Sequence, residues 1–538
     1  MLDNSPSPAG IEGSWRFRMA RIPAALGVRG ASWIAQYEAG IVLAVVMGFV
    51  LAQFIRARSP LWFDEMLTFY IARLPSVSQM LRAVPTDTHP PLYYLLAGAC
   101  MRWLGETEIA VRLPSILAFA AAMLATYFFV RRRCGAVLAL FAMLALTTSG
   151  AAYYGHEARP YALLLGFAGL TMVSWQAATE EGHNRIFPLA GVAIGVAGAI
   201  ASHYFGVFHV GVPLVCGEAF RLAKRRRLDF PLYCACAAGL SMLAVTMPFA
   251  GEMHRIMVDY VQGSVAFWAK PQIGSIRSYG DLVNLGLPFC FLLLLWLTKS
   301  AFAPGDESGR PAGDNLSVPA HEFAAAAGLA LLVPIMIGVT WLATGYYLFR
   351  YAIGAAMGVA MLAGMAAPLL GRNRSHVTAV ASLSMVLVAL VFAGTKTKAV
   401  IRAIANPPAD SWSASSVLDA APGGEPIVVA NAVTYLPKWK YASPPLRERL
   451  HYLADWPFAV RQADFLPELS LIVTQQFTPS KVDDYRQFLS THRRFLLYCA
   501  GQPSLEWTEG RLRAEGWTLH LLRSSEGETL FLAEAPGR

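Results

Sequence analysis

Residues 62–94 are the most informative stretch of the chain, and they read WFDEMLTFYIARLPSVSQMLRAVPTDTHPPLYY. Three acidic side chains and one histidine, Asp64, Glu65, Asp87 and His89, stand in this short segment between hydrophobic stretches. Ionisable groups at membrane depth are costly and are usually retained for function. The segment therefore predicts a loop at the membrane surface that holds a functional site.

The rest of the chain is typical of a helical membrane protein. Hydrophobic residues make up 55% and charged residues 15% of its 538 positions, and the mean hydropathy is +0.44. A helix that crosses a hydrocarbon core of roughly 30 Å needs about 20 mostly apolar residues. Runs near this length predict about eleven transmembrane helices, at 39–55, 113–130, 136–155, 160–179, 187–202, 204–217, 230–251, 282–298, 323–349, 351–371 and 377–395.

Basic residues predict the orientation of these helices, because Lys and Arg gather on the cytoplasmic side of a membrane. They cluster before the first run, at Arg131–Arg133, at Lys224–Arg227 and at residues 372–374. If these clusters are cytoplasmic, residues 61–112 face the opposite side. Residues 90–104 are predicted to form a helix along the interface, because counting them as a span would turn Arg131–Arg133 outward.

Three parts of the chain follow from this pattern. Residues 1–35 form a basic cytoplasmic leader, residues 36–398 form the transmembrane domain with its first loop at 58–112, and residues 399–538 form a soluble domain on the side of the site. Helical patterns and short β-like runs predict that the last part is a small α/β or α+β domain. The helical patterns are 483–492 and 505–516, and the β-like runs are 427–430, 470–474, 495–499, 518–522 and 529–533.

Charge and cysteine content exclude several other classes of protein. The net charge of +9 comes from clusters beside the spans, where basic residues set topology and meet anionic lipid, so nucleic acid is not an expected partner. Only Cys499 of the seven cysteines stands in the soluble part, which excludes a disulfide framework there. No nucleotide-binding glycine motif is present in that part, so no nucleotide cofactor is expected.

The charged motifs resemble a known family. The pair Asp64-Glu65, the run 87–92 (DTHPPL) and the triplet 112–114 (RLP) resemble the first extracytoplasmic loop of protein O-mannosyltransferases. They are similar to the same loop in bacterial transferases that modify lipid A with aminoarabinose or galacturonic acid. Residues 156–161 (HEARPY), 203–204 (HY) and 350–351 (RY) look like later landmarks of the bacterial branch. These enzymes belong to glycosyltransferase family 39, within the C-type membrane glycosyltransferases.

The resemblance implies a multispanning enzyme whose first loop carries interfacial helices and whose donor is a polyprenyl-phosphate sugar. It implies an inverting hexosyl- or pentosyltransferase that acts on a lipid, polysaccharide or protein acceptor outside the cytoplasm. The bacterial relatives imply an inner membrane protein with a periplasmic site and a role such as lipid A modification. The long lumenal domain of the eukaryotic mannosyltransferases is missing between the spans, which speaks against a protein acceptor.

Asp64 and Glu65 are the catalytic candidates. Asp64 would remove the proton of the acceptor hydroxyl as the new bond forms. A departing phosphate is an anion that cations stabilise directly, so a general acid is not required. Alternatively, Asp64 would be the N-cap of an interfacial helix whose dipole Glu65 also favours, and Glu65 could instead orient an arginine, bind the acceptor or a metal, or face water.

The substrate-binding candidates each have an alternative structural role. Asp87 and His89 would position substrate, or Asp87 would cap a turn before Pro90-Pro91. Glu157 would line the sugar pocket and Arg159 would bind donor phosphate, or the two would pair with each other.

Four further candidates stand on later loops. Arg350 would bind phosphate, or its side chain would extend to the interface, and Tyr351 is its neighbour in the same motif. His203 and Tyr204 would form a pocket wall, or His203 would end a helix with a hydrogen bond. Lys270 would reach phosphate or serve as an interfacial anchor beside residues 267–268.

Metal dependence and a second class of function stay open at this stage. Asp64, Glu65, His89, Glu157 and His203 offer oxygen and nitrogen ligands for a divalent cation, but their spacing is not diagnostic. The alternative function is a transporter of a polar or anionic substrate. Transporters tend to place ionisable groups near the bilayer midplane and to show internal repeats. The charges here gather at one interface and no repeat is evident, which favours the transferase.

Overall fold

The computed structural model describes residues 33–34, 36–180, 184–263, 269–299, 318–371, 374–405, 415–462 and 466–537. The leader predicted over residues 1–35 lies almost entirely outside this part of the chain. Residues 267–268 and 372–373 and the segment 406–414 also lie outside it.

The first three quarters of the chain are helical. The helices are α1 Glu38–Arg56, α2 Phe63–Ala72, α3 Val77–Ala83, α4 Leu92–Leu104, α5 Glu108–Thr147, α6 Tyr161–Ala178, α7 Ile186–Ser202, α8 Gly206–Arg225, α9 Phe230–Leu240, α10 Met242–Gly263, α11 Ser278–Val283, α12 Gly286–Thr298, α13 Ala320–Ala330, α14 Leu332–Ala343, α15 Gly354–Leu370 and α16 Arg374–Ala405. Short 3₁₀ turns lie at Val84–Thr86, Gly150–His156, Ile273–Arg277 and Phe349–Ala352.

Several of these helices suit a membrane. In the described part of the chain, five are long and apolar enough to cross one, or up to seven if each sharply bent pair is one span. Shorter apolar helices run over Ile186–Ser202, Gly354–Leu370 and His376–Leu390. The predicted class, a polytopic helical membrane protein, is confirmed. The number eleven stays a prediction.

Helix α5 contains the predicted span 113–130 and the first part of the span predicted at 136–155. It is 40 residues long, and Gly135 interrupts it with a φ of 80° that side-chain-bearing residues rarely adopt. The break follows Arg131–Arg133 and separates the runs predicted at 113–130 and 136–155. The glycine therefore provides the turn between the two apolar segments.

The first loop is built from three short helices. Helix α2 begins after its N-cap residue Trp62, whose backbone N–H donates to the Glu65 carboxylate at 3.2 Å. The alternative role of Asp64 as the N-cap is therefore wrong, because Asp64 is the second residue of the helix, where it and Glu65 suit the positive end of the helix dipole. Helix α4 covers the segment predicted to lie along the interface. It ends at Gly105, where φ is 84°, and Trp103 is 92% exposed at its end.

The C-terminal part forms a six-stranded mixed sheet. Its strands are β1 Ile427–Val429, β2 Leu450–Ala454, β3 Lys481–Asp484, β4 Arg494–Cys499, β5 Thr518–Ser525 and β6 Glu528–Glu534, in the order β3-β2-β1-β4-β6-β5. Strands β1 to β4 pair in parallel, whereas β6 is antiparallel to both β4 and β5. The helices of this part are α17 Ser416–Asp419, α18 Ala432–Tyr441, α19 Pro444–Arg447, α20 Trp456–Gln462, α21 Leu466–Thr474, α22 Tyr485–Thr491 and α23 Trp507–Ala514. The small C-terminal α/β domain is therefore confirmed.

One strand prediction in this domain is wrong. Residues 470–474 lie in helix α21 rather than in a strand, although their sequence is rich in β-branched side chains. Strand preference is weak and depends on packing. Here Leu471 is fully buried, and Glu468 in the first turn accepts hydrogen bonds from Tyr452 and Trp507. These contacts favour the helix. Strands β2 and β3 were not predicted.

Candidate active site

Asp64 and Arg350 form an ion pair across the mouth of the site. Arg350 Nη2 lies 3.3 Å from Asp64 Oδ2, although 286 residues separate them in the chain. Both side chains are 21% exposed. Burial alone would lower the pKa of Arg350, but Tyr161 and Asp64 raise it, so the guanidinium stays charged. The pair is accessible and has opposite charges, as a base beside an anion-binding cation requires.

Glu65 points away from Asp64, into the protein. Arg112 donates to both carboxylate oxygens of Glu65, from Nε at 2.7 Å and from Nη2 at 2.5 Å. The backbone N–H of Ala158 adds a third bond at 2.6 Å, and Glu65 is only 1% exposed. Of the roles left open by the sequence, this geometry favours the one in which Glu65 orients an arginine.

Arg159 links three parts of the first loop. It donates from Nη1 to the Asp64 backbone carbonyl at 3.2 Å and to Asp87 Oδ2 at 2.6 Å, and from Nη2 to His89 Nδ1 at 3.0 Å. The side chains of Arg159, Asp87 and His89 are all buried. Burial raises the pKa of Asp87, but the charge and hydrogen bonds of Arg159, together with the neighbouring His89, outweigh it and hold that pKa below its ordinary value. The alternative pair of Glu157 with Arg159 is not the one that forms.

His89 is neutral in this arrangement. Burial and the neighbouring Arg159 guanidinium lower its pKa to about 4. Because a guanidinium only donates, Nδ1 of His89 must be the acceptor. Nε2 then carries the hydrogen, and it lies 3.3 Å from the Tyr161 hydroxyl. The orientation of the imidazole is thus set from both sides.

Glu157 has one bonded and one free carboxyl oxygen. Trp62 Nε1 donates to Oε1 at 3.0 Å, whereas Oε2 is buried and has no hydrogen-bond partner among the residues that the structure describes. Burial and the nearby Glu65 carboxylate raise the pKa of Glu157 to about 8. At neutral pH Glu157 is therefore mostly protonated, and the group offers a hydrogen bond to a polar ligand.

Aromatic rings form one wall of the cluster. The His203 ring lies 5.1 Å from His89 and 5.6 Å from both Tyr161 and Tyr351, between ring centroids. His203 Nδ1 accepts the backbone N–H of Phe205 at 3.1 Å, in the break between α7 and α8. Both roles left open for His203 are therefore compatible with its place, because it ends a helix and faces the cluster.

Several buried polar atoms of this cluster have no hydrogen-bond partner within the described protein. Such atoms are rare in folded proteins and call for an explanation, of which a ligand is one. They are Glu157 Oε2, Arg159 Nε, His203 Nε2, Tyr204 Oη and Arg350 Nε. Carboxyl, guanidinium, imidazole and phenol groups together suit a ligand that has hydroxyl groups and negative charge.

Lys270 is the one predicted site residue that the structure leaves apart from the others. It is exposed and does not contact the described members of the cluster. The neighbouring Ala269 carbonyl accepts the Tyr347 backbone N–H at 2.7 Å. Lys270 therefore stands beside the segment that carries Arg350, at the periphery.

Known proteins resemble this chain in sequence over one segment and in overall fold. A family model described as dolichyl-phosphate-mannose-protein mannosyltransferase matches residues 88–251. Two solved structures of ArnT from Cupriavidus metallidurans, one in the apo state and one bound to undecaprenyl phosphate, match with a TM-score of 0.54 at 15% identity. They cover 92% and 93% of this chain and 98% of their own chain. The chain has the fold of the C-type membrane glycosyltransferases.

Two further comparisons add context. An oligosaccharyltransferase from Archaeoglobus fulgidus, tethered with an acceptor peptide, matches with a TM-score of 0.41 at 11% identity over 94% of this chain and 75% of its own. No curated protein sequence matches the chain. The family model over residues 88–251 and the fold shared with ArnT agree with the predicted resemblance to the O-mannosyltransferase and lipid A transferase group.

The C-type fold also brings in residues that were not predicted as site residues. The sequence offered Glu65 as a residue that could orient an arginine, but it did not indicate that Arg112, in another noted motif, is that arginine. The sequence indicated no role for Ser115, yet its hydroxyl donates to the Glu157 backbone carbonyl at 2.6 Å. Trp62 and Tyr161 stand in quoted motifs and contact Glu157 and His89. A polar or ionisable residue in an apolar helix, as at Arg112, is the signal that could have indicated them.

The possible metal ligands are dispersed in the described part of the chain. Among the described residues, no three His, Cys, Asp or Glu side chains are grouped closely enough to hold a metal ion. Glu65 and Asp87 are occupied by arginines, while Asp64, Glu157 and His203 keep free oxygen or nitrogen atoms. These free atoms are too few to hold a metal ion by themselves, so a cation would bind here only if the substrate supplied further ligands.

Proposed function

We propose that this protein is an inverting glycosyltransferase that moves a sugar from a polyprenyl phosphate to an acceptor hydroxyl outside the cytoplasm. The observation that carries the proposal is the Asp64–Arg350 pair, in which a partly exposed carboxylate faces a partly exposed guanidinium. The C-type fold and the match to the mannosyltransferase family model support this class of reaction. ArnT from Cupriavidus metallidurans, solved with undecaprenyl phosphate, supports a donor of the same lipid class.

Asp64 is assigned as the general base. An acceptor hydroxyl that approaches the exposed carboxylate loses its proton to Asp64 as its oxygen attacks the anomeric carbon. The bond to the phosphate oxygen breaks on the opposite face of the sugar, so the configuration inverts. The polyprenyl phosphate leaves with the bonding electron pair, and the proton stays on Asp64 until solvent removes it.

The two arginines near Asp64 are assigned different tasks. Arg350 is partly exposed, and its Nε has no protein partner, so it is suited to stabilise the departing phosphate. Arg159 is buried and its terminal nitrogens are occupied by Asp87, His89 and the Asp64 carbonyl. Arg159 is therefore assigned to position the helix that carries Asp64, with only its Nε left for a ligand.

Glu157, His203 and Tyr204 are assigned to bind the sugar. Their free polar atoms match the hydroxyl groups of a hexose or a pentose. Asp87, His89 and Tyr351 are assigned to hold this wall in place, and Lys270 to attract the phosphate from the periphery. The acceptor is proposed to be a lipid or a polysaccharide of a bacterial envelope, lipid A included, reached from the periplasmic face of the inner membrane.

Mass spectrometry of lipid-linked sugars and envelope glycans tests this function. Cells that carry Asp64→Asn at matched membrane abundance should accumulate one polyprenyl-phosphate sugar and lose one glycan residue, since loss of a base lowers such rates by about 10²–10⁴-fold. Asp281→Asn is the matched control, because Asp281 is an exposed aspartate on helix α11 that has no role in the proposed mechanism. Unchanged pools in the Asp64→Asn cells would refute the transferase and direct attention to transport.

A further inference from the structure

The C-terminal domain reaches the first loop through one tyrosine. Tyr441 is the last residue of helix α18. Its hydroxyl accepts the backbone N–H of Leu61 at 2.8 Å and donates to Glu108 Oε1 at 2.9 Å. Leu61 is buried, so its N–H needs a partner inside the protein, and the phenol provides it.

The two groups held by Tyr441 precede the candidate catalytic residues. Leu61 stands three residues before Asp64, at the entrance to helix α2. Glu108 begins helix α5, one turn before Arg112, which binds Glu65 with two hydrogen bonds. The phenol therefore joins, from the C-terminal domain, the same two segments that the Glu65–Arg112 pair joins inside the membrane domain.

A second contact from the same helix end lies farther along α2. Lys440 Nζ is 3.7 Å from the centroid of the Phe69 ring, a distance typical of a cation–π interaction. Phe69 follows Glu65 by one helical turn. Helix α18 thus contacts α2 on both sides of Asp64 in sequence, at its entrance and in its second turn.

We propose that Tyr441 is a positioning residue for Asp64, and that the C-terminal domain thereby sets the geometry of the active site. The proposal rests on the proposed function for its kinetic part only. The phenol hydroxyl fixes the direction in which the chain enters α2, and the first turn of α2 carries the base. Rates of reactions between held groups are sensitive to displacements of this kind, with losses of up to about 10²-fold for 1 Å.

Hydrogen–deuterium exchange of the full-length protein in detergent tests the bridge without any substrate. Tyr441→Phe keeps the ring and removes both hydrogen bonds, so peptides that cover residues 58–69 should exchange about tenfold faster. Tyr435→Phe is the matched control. Tyr435 lies on the same helix and is fully buried, but its hydroxyl donates to the Lys481 backbone carbonyl at 2.7 Å, within the C-terminal domain.

Turnover then tests the consequence for the reaction, with the donor and acceptor found by mass spectrometry as the probes. Tyr441→Phe should lower kcat about tenfold and leave the KM for the donor unchanged, because it displaces the base and not the phosphate ligand. Tyr435→Phe should change neither.

The two measurements separate failure of this proposal from failure of the proposed function. Unchanged exchange over residues 58–69 in Tyr441→Phe would overturn the bridge, as would equal acceleration in Tyr435→Phe. A raised donor KM with an unchanged kcat would overturn the positioning of Asp64. Faster exchange confined to Tyr441→Phe supports the bridge even if Asp64→Asn cells show that the protein is not a transferase.

Discussion

Asp64 and Arg350 meet at 3.3 Å, although they come from helix α2 and from the 3₁₀ turn before helix α15. The guanidinium carbon of Arg350 also lies 5.5 Å from the centroid of the ring of Tyr161, the first residue of helix α6. Three separate segments therefore meet at this ion pair. This convergence gives Asp64 a cationic neighbour while leaving one fifth of its side chain exposed to a substrate.

Removal of the Arg350 guanidinium should weaken binding of the lipid phosphate. Hydrogen bonds to charged groups contribute about 1.5–3 kcal/mol, so Arg350→Ala should bind undecaprenyl phosphate about ten- to a hundredfold more weakly. Titration of the purified protein in detergent measures this. Arg277→Ala is the control, because it removes an exposed arginine from another loop. Equal affinities of the two variants would contradict the assignment of Arg350 to the phosphate.

The Glu65–Arg112 pair should matter for stability more than any exposed pair. Glu65→Gln removes the carboxylate charge that neutralises the buried Arg112 and leaves it only neutral acceptors, such as the carbonyls of residues 57, 59 and 60, which should cost about 3–5 kcal/mol. Thermal unfolding in detergent measures the loss. In the control Glu106→Gln, the partner Arg73 is about half exposed, and the cost should stay within about 1 kcal/mol. Similar midpoints for both variants would show that the buried pair is not a structural support.

Glu157 should make stability depend on pH. Its pKa is about 8 in the folded protein, against an ordinary value of 4.5, so the folded state keeps a proton that the unfolded chain has released. Stability therefore falls as pH rises through this window, by at most about 1.4 kcal/mol per unit from this group, and the contribution is constant above it.

The variant Glu157→Gln isolates that effect, because glutamine cannot ionise. Thermal midpoints should fall more between about pH 5 and about pH 8 in the wild type than in Glu157→Gln. His89 has a lowered pKa and acts in the opposite direction, but it is present in both proteins. Parallel pH curves for the two proteins would show that Glu157 is ionised in the fold.

The predicted orientation can be tested with introduced cysteines. Arg523→Cys on the exposed strand β5 should react with a membrane-impermeant maleimide in intact spheroplasts, and Lys224→Cys should react only after lysis. The exposed native residues Cys234 and Cys290 are first replaced by alanine. Labelling of Lys224→Cys from outside, with Arg523→Cys protected, would reverse the topology and place the site in the cytoplasm.

The sequence by itself determined the class of the protein, because hydropathy is a local property that each segment carries alone. Apolar runs indicated the helices, the charged loop at 62–94 indicated the site, and alternating patterns indicated a mixed C-terminal domain. The same local argument failed at 470–474, where the contacts of Leu471 and Glu468 outweigh β-branched side chains. Four of the five predicted strand positions do lie on strands.

The partners of the ionisable side chains are visible only in the tertiary structure. The sequence placed Glu157 beside Arg159 and Asp64 beside Glu65, yet Arg159 pairs with Asp87, Glu65 with Arg112, and Asp64 with Arg350. Tyr441 carried no signal at all, since a single tyrosine at the end of a helix is unremarkable until its hydroxyl meets Leu61 and Glu108. Apolar helices bear little information about their partners. The pairing of ionisable groups is therefore set by how the helices pack, and by the high cost of leaving any such group buried alone.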